Sequence, residues 1–231
     1  MTTDFVKLPL KLFCKSELFF HSTNFSAPDI FSYLGVNLEI WLDQLLSGTH
    51  SNKDHPIVLG KVHPSAFIEG RVFIDEGVVV EPTAYIKGPA IILKNSEVRH
   101  GAYIRGNVFI GANCVVGHAT EVKSSIFCDE AKAGHFAYVG DSFLGRNVNL
   151  GAGTKLANLK LAHDEVFYKD PETHKRVGSG LKKFGSVIGD NVQTGCNAVL
   201  SPGTLLLPDT AVMACEHFHG TLLKGIHRGK N

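Results

Sequence analysis

The sequence lacks the charge excess, the leader segment and the long apolar runs that mark several protein classes. Its 23 Lys and Arg residues face 22 Asp and Glu residues, so the formal net charge is only +1. An extended nucleic-acid interface would show a clustered excess of cations. No apolar run reaches the length of a membrane span, and the N-terminus lacks the pattern of a secretory signal. We therefore expect neither nucleic acid nor a membrane as a partner.

Cysteine is scarce, and its five positions are widely spaced. They are Cys14, Cys114, Cys128, Cys196 and Cys215. The number is odd and no pair has C-x-x-C spacing, so a disulfide framework and a zinc knuckle are both disfavoured. A reducing, cytoplasmic location fits this pattern. With 231 residues, 44% of them hydrophobic, the chain can form a core without disulfides or metal.

What the sequence does contain is a six-residue repeat of β-branched residues. Its positions are Val62, Ile68, Ile74, Val80, Ile86, Ile92, Val98, Ile104, Ile110, Val116 and Val122. Neither the helical nor the strand period produces this pattern, whereas a six-residue period is typical of a solenoid. Three hexapeptides would close one triangular coil, and corresponding residues would stack about 4.8 Å apart on neighbouring coils. The expected fold is therefore an all-β, parallel β-helix.

The repeat continues with one long interruption. It runs on through Phe127, Ala133, Val139, Leu144, Leu150 and Leu156, with two five-residue steps, and resumes at Ile188, Thr194, Leu200, Leu206 and Val212. Between these parts, residues 159–185 form a polar insertion, which we expect to leave the prism as a long loop. We assign the β-helix to residues 61–215.

The two ends do not follow the repeat. Residues 1–60 include apolar residues at helical spacing over 30–46, with a break near Gly35 and Ser26 as a plausible N-cap. We predict a short N-terminal helical cap over the open end of the solenoid. The tail, residues 216–231, is basic and forms either a disordered end or an arm that reaches an anionic ligand.

Stacking of the coils would place several cations in one column. Lys87, Arg105 and Lys123 recur once in every three hexapeptides, each directly after an inward position. Like charges on neighbouring strands repel unless something neutralises them. A bound phosphate would do so. The alternative is a solvated basic stripe whose long side chains splay apart.

Two further columns carry polar side chains. One contains His100, His118, His135 and Ala152, each two residues past an inward position. A histidine there could serve as a general base near neutral pH, or histidines could merely suit this corner. The other column places Tyr138 over Glu121, which could also be an ordinary surface hydrogen bond.

The segment from Gly117 to Asn158 resembles the acetyltransferase domain of the bacterial bifunctional uridylyltransferase/glucosamine-1-phosphate acetyltransferases. The blocks "EVK", "AGHFAYVGD", "VNLGAG" and "SVIGDN" occur in that family's order, and the resemblance covers about residues 60 to 215. It implies a left-handed β-helix that transfers acetyl from acetyl-CoA to the amine of an amino-sugar 1-phosphate, most simply glucosamine 1-phosphate. It also implies a homotrimer with sites between chains, and no metal requirement.

The resemblance assigns roles to matching positions. The catalytic base is His135. The substrate-binding positions are Arg105, Lys123 and Tyr138 for the phosphate, Glu121 and Asn149 for the sugar, Asn158 for orienting the amine, and Lys183, which reaches a neighbouring subunit's site. The positions along acetyl-CoA are Ala152, whose backbone amide meets the thioester, together with Cys196 and Ala214.

Some positions depart from the family pattern. Leu159 replaces a tyrosine, Cys196 replaces a serine, and the insertion is longer, so the acceptor sugar stays open. The family's nucleotidyltransferase domain has no counterpart in this sequence, and we expect no synthesis of UDP-sugars by this chain alone. The alternatives are an acyltransferase for another amino sugar or sugar nucleotide, and a non-catalytic hexapeptide scaffold. A carbonic anhydrase on the same fold needs a second histidine five residues after His118, where Lys123 stands.

Overall fold

The computed structural model describes residues 10–14, 30–47 and 55–229. Its helices are the 3₁₀-helices Leu10–Leu12 and Ile30–Tyr33 and the α-helix α1, Val36–Ser47. Gly35 has a φ of 61°, a left-handed conformation open to glycine, and it forms the predicted break before α1. The predicted N-cap Ser26 lies outside the described residues. Within the described ranges, no helix combines the length and hydrophobicity needed to cross a bilayer.

Twenty-eight short strands recur through the described part of the chain. The first are β1 (Ile57–Val58), β2 (Lys61–Val62), β3 (Phe67–Glu69), β4 (Val72–Ile74), β5 (Val79–Val80), β6 (Tyr85–Lys87), β7 (Ala90–Ile92), β8 (Glu97–Val98), β9 (Tyr103–Ile104), β10 (Val108–Ile110), β11 (Val115–His118), β12 (Glu121–Lys123), β13 (Ser125–Phe127) and β14 (Lys132–His135). The later ones are β15 (Tyr138–Gly140), β16 (Phe143–Leu144), β17 (Asn149–Leu150), β18 (Lys155–Leu156), β19 (Phe167–Lys169), β20 (Arg176–Gly178), β21 (Ser186–Ile188), β22 (Gln193–Thr194), β23 (Val199–Leu200), β24 (Thr204–Leu206), β25 (Ala211–Val212), β26 (His217–Phe218), β27 (Thr221–Leu222) and β28 (Ile226–His227).

These strands form the three sides of a prism. Sheet 1 has the order β1-β4-β7-β10-β13-β16-β21-β24-β27, sheet 2 the order β2-β5-β8-β11-β14-β17-β22-β25-β28, and sheet 3 the order β3-β6-β9-β12-β15-β18-β23-β26. Each coil visits sheets 1, 2 and 3 in turn, and the paired strands are parallel. The predicted left-handed parallel β-helix is confirmed.

The hexapeptide positions form the core of the prism. From Ile74 to Val122 every repeat residue is at most 1% exposed, and the five-residue steps also lead to buried residues, Phe127 and Leu144. Val62 and Ile68 are partly buried against the same cluster. The repeat therefore positions every outward side chain, because a residue next to an inward one faces solvent or a covering segment.

Left-handed backbone conformations mark the corners of the prism. We call the turn from sheet 1 to sheet 2 corner 1–2, and the turn from sheet 2 to sheet 3 corner 2–3. Corner 1–2 uses asparagines, which tolerate positive φ; Asn147 has a φ of 55° and Asn191 a φ of 61°. The Asn147 side-chain amide donates to Asn191 Oδ1 at 3.0 Å, so these turns also stack on one another.

The N-terminal segment packs on one side of the prism. Leu38, Leu42 and Leu46 of α1 are buried in one cluster with outward residues of sheet 1, and the Trp41 ring lies 5.0 Å from that of Phe109. The Phe13 carbonyl accepts a hydrogen bond from the Asp190 amide at 2.8 Å. The prediction that this helix caps the open end is wrong for the described residues, because the apolar side chains of α1 pack on the apolar outer face of sheet 1.

The insertion and the tail are both ordered. Between β18 and β21 the chain forms an antiparallel hairpin of β19 and β20. Beyond residue 215, strands β26, β27 and β28 pair with β23, β24 and β25 and continue the prism. The predicted boundary at 215 and the free basic tail are therefore wrong up to residue 229; Lys230 and Asn231 lie outside the described residues. The β-helix also begins slightly before residue 61, at β1.

Candidate functional site

The predicted histidine column exists at corner 2–3. His118 on β11 lies in register with His135 on β14, and the His100 and His118 rings stack with centroids 5.3 Å apart and planes 7° apart. A Cβ on Gly117 would lie 1.7 Å from the Gly134 carbonyl oxygen, so the two coils meet too closely here for any other residue at 117. His118 Nδ1 lies 3.1 Å from the His100 carbonyl oxygen and must donate, since a carbonyl only accepts.

The third histidine of this column is His135. Its side chain is exposed at the end of β14, and its carbonyl accepts from the Gly153 amide at 2.9 Å. Within the described residues, its ring makes no hydrogen bond, whereas the His100 and His118 rings both do. Phe136 follows with a φ of 52° and packs its ring edge-on against His118. Both ring nitrogens of His135 are therefore without a hydrogen-bond partner among the described residues.

Three backbone amides stack above His135 at the same corner. Ala152, Cys196 and Ala214 each lie two residues past an inward residue, in register with His135. Among the described residues, none of these three amides has a hydrogen-bond acceptor, although the flanking Gly151 and Gly153 amides are bonded at 2.9 Å. Such amides can donate to an incoming carbonyl or polar chain.

The predicted cation column exists on the outer face of sheet 3, but carboxylates neutralise it. Arg105 contacts Glu121 at 2.6 Å, Lys87 contacts Glu69 at 3.5 Å, and Lys123 contacts Asp141 at 3.1 Å. The hydrogen bond from Arg105 to Glu121 raises the pKa of the guanidinium further. The column is therefore neither a set of unpaired cations nor a simple solvated stripe.

Asp141 connects the polar residues of this face. Its carboxylate is buried and accepts hydrogen bonds from Lys123 Nζ and from the Asn158 side-chain amide. Tyr138, in register with Glu121 as predicted, donates its hydroxyl to Asn158 Oδ1 at 3.3 Å. A Cβ on Gly140 would lie 2.7 Å from the Tyr138 hydroxyl, so glycine leaves room for this group.

Burial, followed by the charges of Asp141 and Glu121, raises the pKa of Tyr138. The hydroxyl therefore stays a hydrogen-bond donor through the neutral range. The sequence reasoning does not single out Asp141, which lies within the quoted "AGHFAYVGD" block, one residue after Gly140, the register partner of Lys123.

Two predicted site residues lie apart from this cluster. Asn149 is exposed on sheet 2, in register with Lys132 and Gln193, three residues before Ala152. Lys183 is exposed and forms an isolated antiparallel bridge with Leu159 at the base of the insertion. Within one chain, therefore, Arg105, Glu121, Lys123, Tyr138 and Asn158 come together, whereas Asn149 and Lys183 do not join them.

Comparison with known proteins finds sequence similarity to bifunctional proteins named GlmU. The bifunctional protein GlmU of Methanococcus maripaludis strain C7 is 49% identical over 152 residues, which are 66% of this chain and 36% of that protein. GlmU of Methanococcus aeolicus is 38% identical over 162 residues, 70% of this chain and 39% of that protein. A bifunctional sugar-1-phosphate nucleotidylyltransferase/acetyltransferase of Sulfurisphaera tokodaii is 45% identical over 73 residues, 32% of this chain and 18% of that protein.

The chain thus spans less than two fifths of the length of these curated relatives. Among solved structures, a Bacillus cereus putative acetyltransferase is similar over 69% of this chain and 73% of that chain, with 16% identity. Its TM-score of 0.38 is too low to support an argument. Residues 86–218, more than half of the sequence, match the family described as the GMPPB C-terminal domain. The chain belongs to the GMPPB C-terminal domain family.

Proposed function

We propose that this chain is an acetyl-CoA-dependent N-acetyltransferase that acts on the amine of an amino-sugar 1-phosphate, with glucosamine 1-phosphate as the first acceptor to test. The observation that carries this proposal is the pairing of an exposed His135 with open backbone amides above it at corner 2–3. The similarity to proteins named as bifunctional GlmU supports it.

The chemistry needs one base and one oxyanion donor. His135 would take a proton from the acceptor amine as its nitrogen attacks the thioester carbonyl carbon. The Ala152 amide would donate to the carbonyl oxygen as negative charge develops there. Collapse of the tetrahedral intermediate then breaks the bond to sulfur, forms the amide and releases CoA, whose sulfur takes up a proton.

The acceptor would lie across the face of sheet 3. Arg105, Lys123 and Tyr138 would bind its phosphate, so the two cations would exchange part of their contact with carboxylates for contact with the ligand. Glu121 would then be free to accept from a sugar hydroxyl, and Asn158 would orient the amine. Asn149, on sheet 2, would contact the sugar from the other side of corner 2–3.

Acetyl-CoA would run along corner 2–3 above His135. Its amide-rich chain would pair with the open amides of Cys196 and Ala214. Lys183 projects from the insertion and would reach the site of a neighbouring chain in a homotrimer. This assembly explains why Lys183 does not join the polar cluster of its own chain.

The first experiment measures free thiol released from acetyl-CoA by the purified chain. The acceptors are glucosamine 1-phosphate, galactosamine 1-phosphate, unphosphorylated glucosamine and a UDP-linked amino sugar. We expect turnover with a 1-phosphate and at most weak turnover without the phosphate. Release with the nucleotide-linked sugar alone would change the acceptor class, and silence across the panel would contradict the proposed activity and favour a scaffold.

A second experiment tests the shared site. His135→Ala and Lys183→Ala chains are each expected to be poorly active. When the two variants are unfolded together and refolded, mixed trimers should regain activity because some sites combine an intact His135 with an intact Lys183. If mixing restores nothing while co-purification through an affinity tag on one of the two variants confirms mixed trimers, Lys183 does not act across chains.

A further inference from the structure

The hairpin of β19 and β20 and the last coils of the prism enclose a cleft of about 480 Å³. Lys169, His174 and Arg176 line it from the hairpin, and Phe218 and His219 line it from the coil. No carboxylate is among the described residues that line this cleft. The volume lies in the range of sites for small organic ligands. The cleft thus combines ligand-sized space with positive charge.

The hairpin is held firmly against the prism. Thr221 Oγ1 donates a hydrogen bond to the Lys169 carbonyl oxygen. Gly203 has a φ of 81°, and a Cβ there would lie 2.2 Å from the Phe167 carbonyl oxygen, so the strand and the corner are in direct contact. Tyr168 is 2% exposed and packs its ring 5.3 Å from that of Phe31. The backbone that carries the hairpin cations is therefore held in place, which lowers the entropic cost of ordering their side chains around a ligand.

The two permanent cations of the cleft differ from the arginines of the preceding coils in their ion pairs. Each of the four arginines before the insertion forms an ion pair with a carboxylate; they are Arg71, Arg99, Arg105 and Arg146. Within the part of the chain that the structure describes, neither Lys169 nor Arg176 forms one. They lie directly opposite each other across the hairpin, and Arg176 Cζ lies 3.8 Å from the centre of the Phe167 ring.

The nearby acids are already engaged elsewhere. Asp164 pairs with Lys160 at 2.8 Å. Asp170 is buried and accepts from the Thr173 amide at 2.6 Å, which closes the turn of the hairpin. Two like charges opposite each other on paired strands cost stability unless an anion lies between them. Among the described residues no carboxylate forms an ion pair with Lys169 or Arg176, although the charge of Arg176 reaches Asp164 and contributes, after the hydrogen bond from Lys160, to lowering the pKa of that carboxyl.

We propose that this cleft binds a phosphate-bearing anion, with Lys169 and Arg176 as its principal contacts. The guanidinium can bind two phosphate oxygens at once, and the ammonium supplies a mobile point charge beside it. His174 and His219 add further donors at the rim. The anion could be free pyrophosphate or the diphosphate of a nucleotide, which would also place a ring near Phe218. The cleft forms within one chain, so the proposal does not rest on the proposed activity.

The test is calorimetric titration of the full chain with inorganic pyrophosphate and, separately, with ADP at low ionic strength. We expect saturable binding of at least one of them. Arg176→Gln and Lys169→Gln should each weaken that binding by roughly tenfold, because each removes a charged hydrogen-bond donor. Lys175→Gln removes the same charge from the exposed turn outside the cleft and should change the affinity less than roughly twofold.

The outcomes separate cleanly. Equal affinity for the two probes identifies the phosphates as the recognised group, and tighter binding of ADP identifies a nucleotide; both support the cleft. Absence of binding at millimolar probe, or an equal loss with Lys175→Gln, overturns the proposal. Thermal unfolding of each variant shows whether it is folded, and retained acetyl transfer in the Arg176→Gln chain keeps this test independent of the proposed activity.

Discussion

The backbone amides at two corners of the prism differ in whether a side chain accepts a hydrogen bond from them. At corner 1–2, Asp129 Oδ1 accepts from the Ala112 amide at 2.8 Å, and Asp190 Oδ1 accepts from the Arg146 amide at 2.7 Å. At corner 2–3, the equivalent amides of Ala152, Cys196 and Ala214 have no acceptor among the described residues. The five residues that carry these amides each lie two positions past an inward residue.

The difference separates backbone amides whose acceptor is a protein side chain from backbone amides that are open to water or a ligand. A backbone amide that lacks a protein acceptor stays stable only where water or a ligand can reach it. Lower on corner 2–3, the His100 amide is still bonded to Glu81 at 2.7 Å. The open amides of Ala152, Cys196 and Ala214 all lie on the coils above His135.

The largest expected effect is the loss of turnover in a His135→Ala chain. Turnover should fall by roughly a hundredfold or more, because a general base is lost while the amides and the polar cluster stay in place. His100→Ala is the matched control, since it removes a histidine from the same corner two coils away and should leave turnover nearly unchanged. Initial rates of thiol release check this, with sedimentation to confirm unchanged assembly. Equal turnover in both variants would remove His135 from the mechanism.

Substitutions at corner 1–2 should instead lower the free energy of unfolding. Asp190→Ala leaves the Arg146 amide without its acceptor in a mostly buried place, so the free energy of unfolding should fall by about 1–3 kcal/mol. Asp75→Ala removes a comparable but exposed hydrogen bond to the Glu76 amide and should cost less. Urea unfolding measures both. A large loss of turnover by folded Asp190→Ala, with unchanged stability, would contradict the structural assignment of this corner.

Removal of charge should sharpen the comparison further. Arg105→Gln should raise the KM for a phosphorylated acceptor by roughly tenfold, because one charged phosphate contact is lost, with little change in the KM for acetyl-CoA. Lys94→Gln breaks the exposed contact with Glu76 near corner 1–2, 3.8 Å long, and should change neither KM. Steady-state kinetics with both substrates distinguish the two. An equal rise in both KM values for Arg105→Gln would point to a general disturbance of the fold.

The sequence predicts the inward column well because a single side chain decides burial at each repeat. It predicts less about the outer faces, although a signal is present. In sheet 1 the residue before the inward position is apolar in every strand from β4 to β24, as in Phe73, Ile91 and Phe109, whereas sheets 2 and 3 mix apolar residues there with charged ones such as Glu97, Lys132 and Glu121. Two consecutive apolar residues in a strand of a prism mean that both faces are covered. That pattern predicts a segment over sheet 1, where α1 lies.

The six-residue repeat also gives an indication of the carboxylates that pair with the cation column. Glu69 lies three hexapeptides before Lys87 and in register with it, and Asp141 follows Gly140, the register partner of Lys123. A count of cations alone predicts a phosphate as the neutralising group, whereas the full column shows that the free protein supplies its own. Similarly, Phe218 lies one hexapeptide after Val212 and continues the inward column into the tail. Periodicity cannot predict the hairpin, because the structure of a long insertion depends on its own local contacts and not on the six-residue repeat.

The smallest effect concerns the thiols, which divide between the interior and corner 2–3. Cys196 and Cys215 are exposed at that corner, whereas Cys14, Cys114 and Cys128 are buried, and burial raises the pKa of Cys114 and Cys128. N-ethylmaleimide should therefore label Cys196 and Cys215 rapidly and the other three slowly, since the thiolate is the reacting form. With acetyl-CoA at twice its Kd, labelling of Cys196 should slow by roughly threefold, as mass action requires for a thiol covered in the complex.

Peptide mass spectrometry of the labelled chain resolves these sites. In a Cys215→Ala chain, the protection of Cys196 should persist, because that residue lies directly in the column above His135. Protection should vanish with CoA-free acetate, which shares no contact with the open amides. If acetyl-CoA supports turnover yet leaves the labelling of Cys196 unchanged, the ligand does not lie along corner 2–3, and the open amides there serve something else.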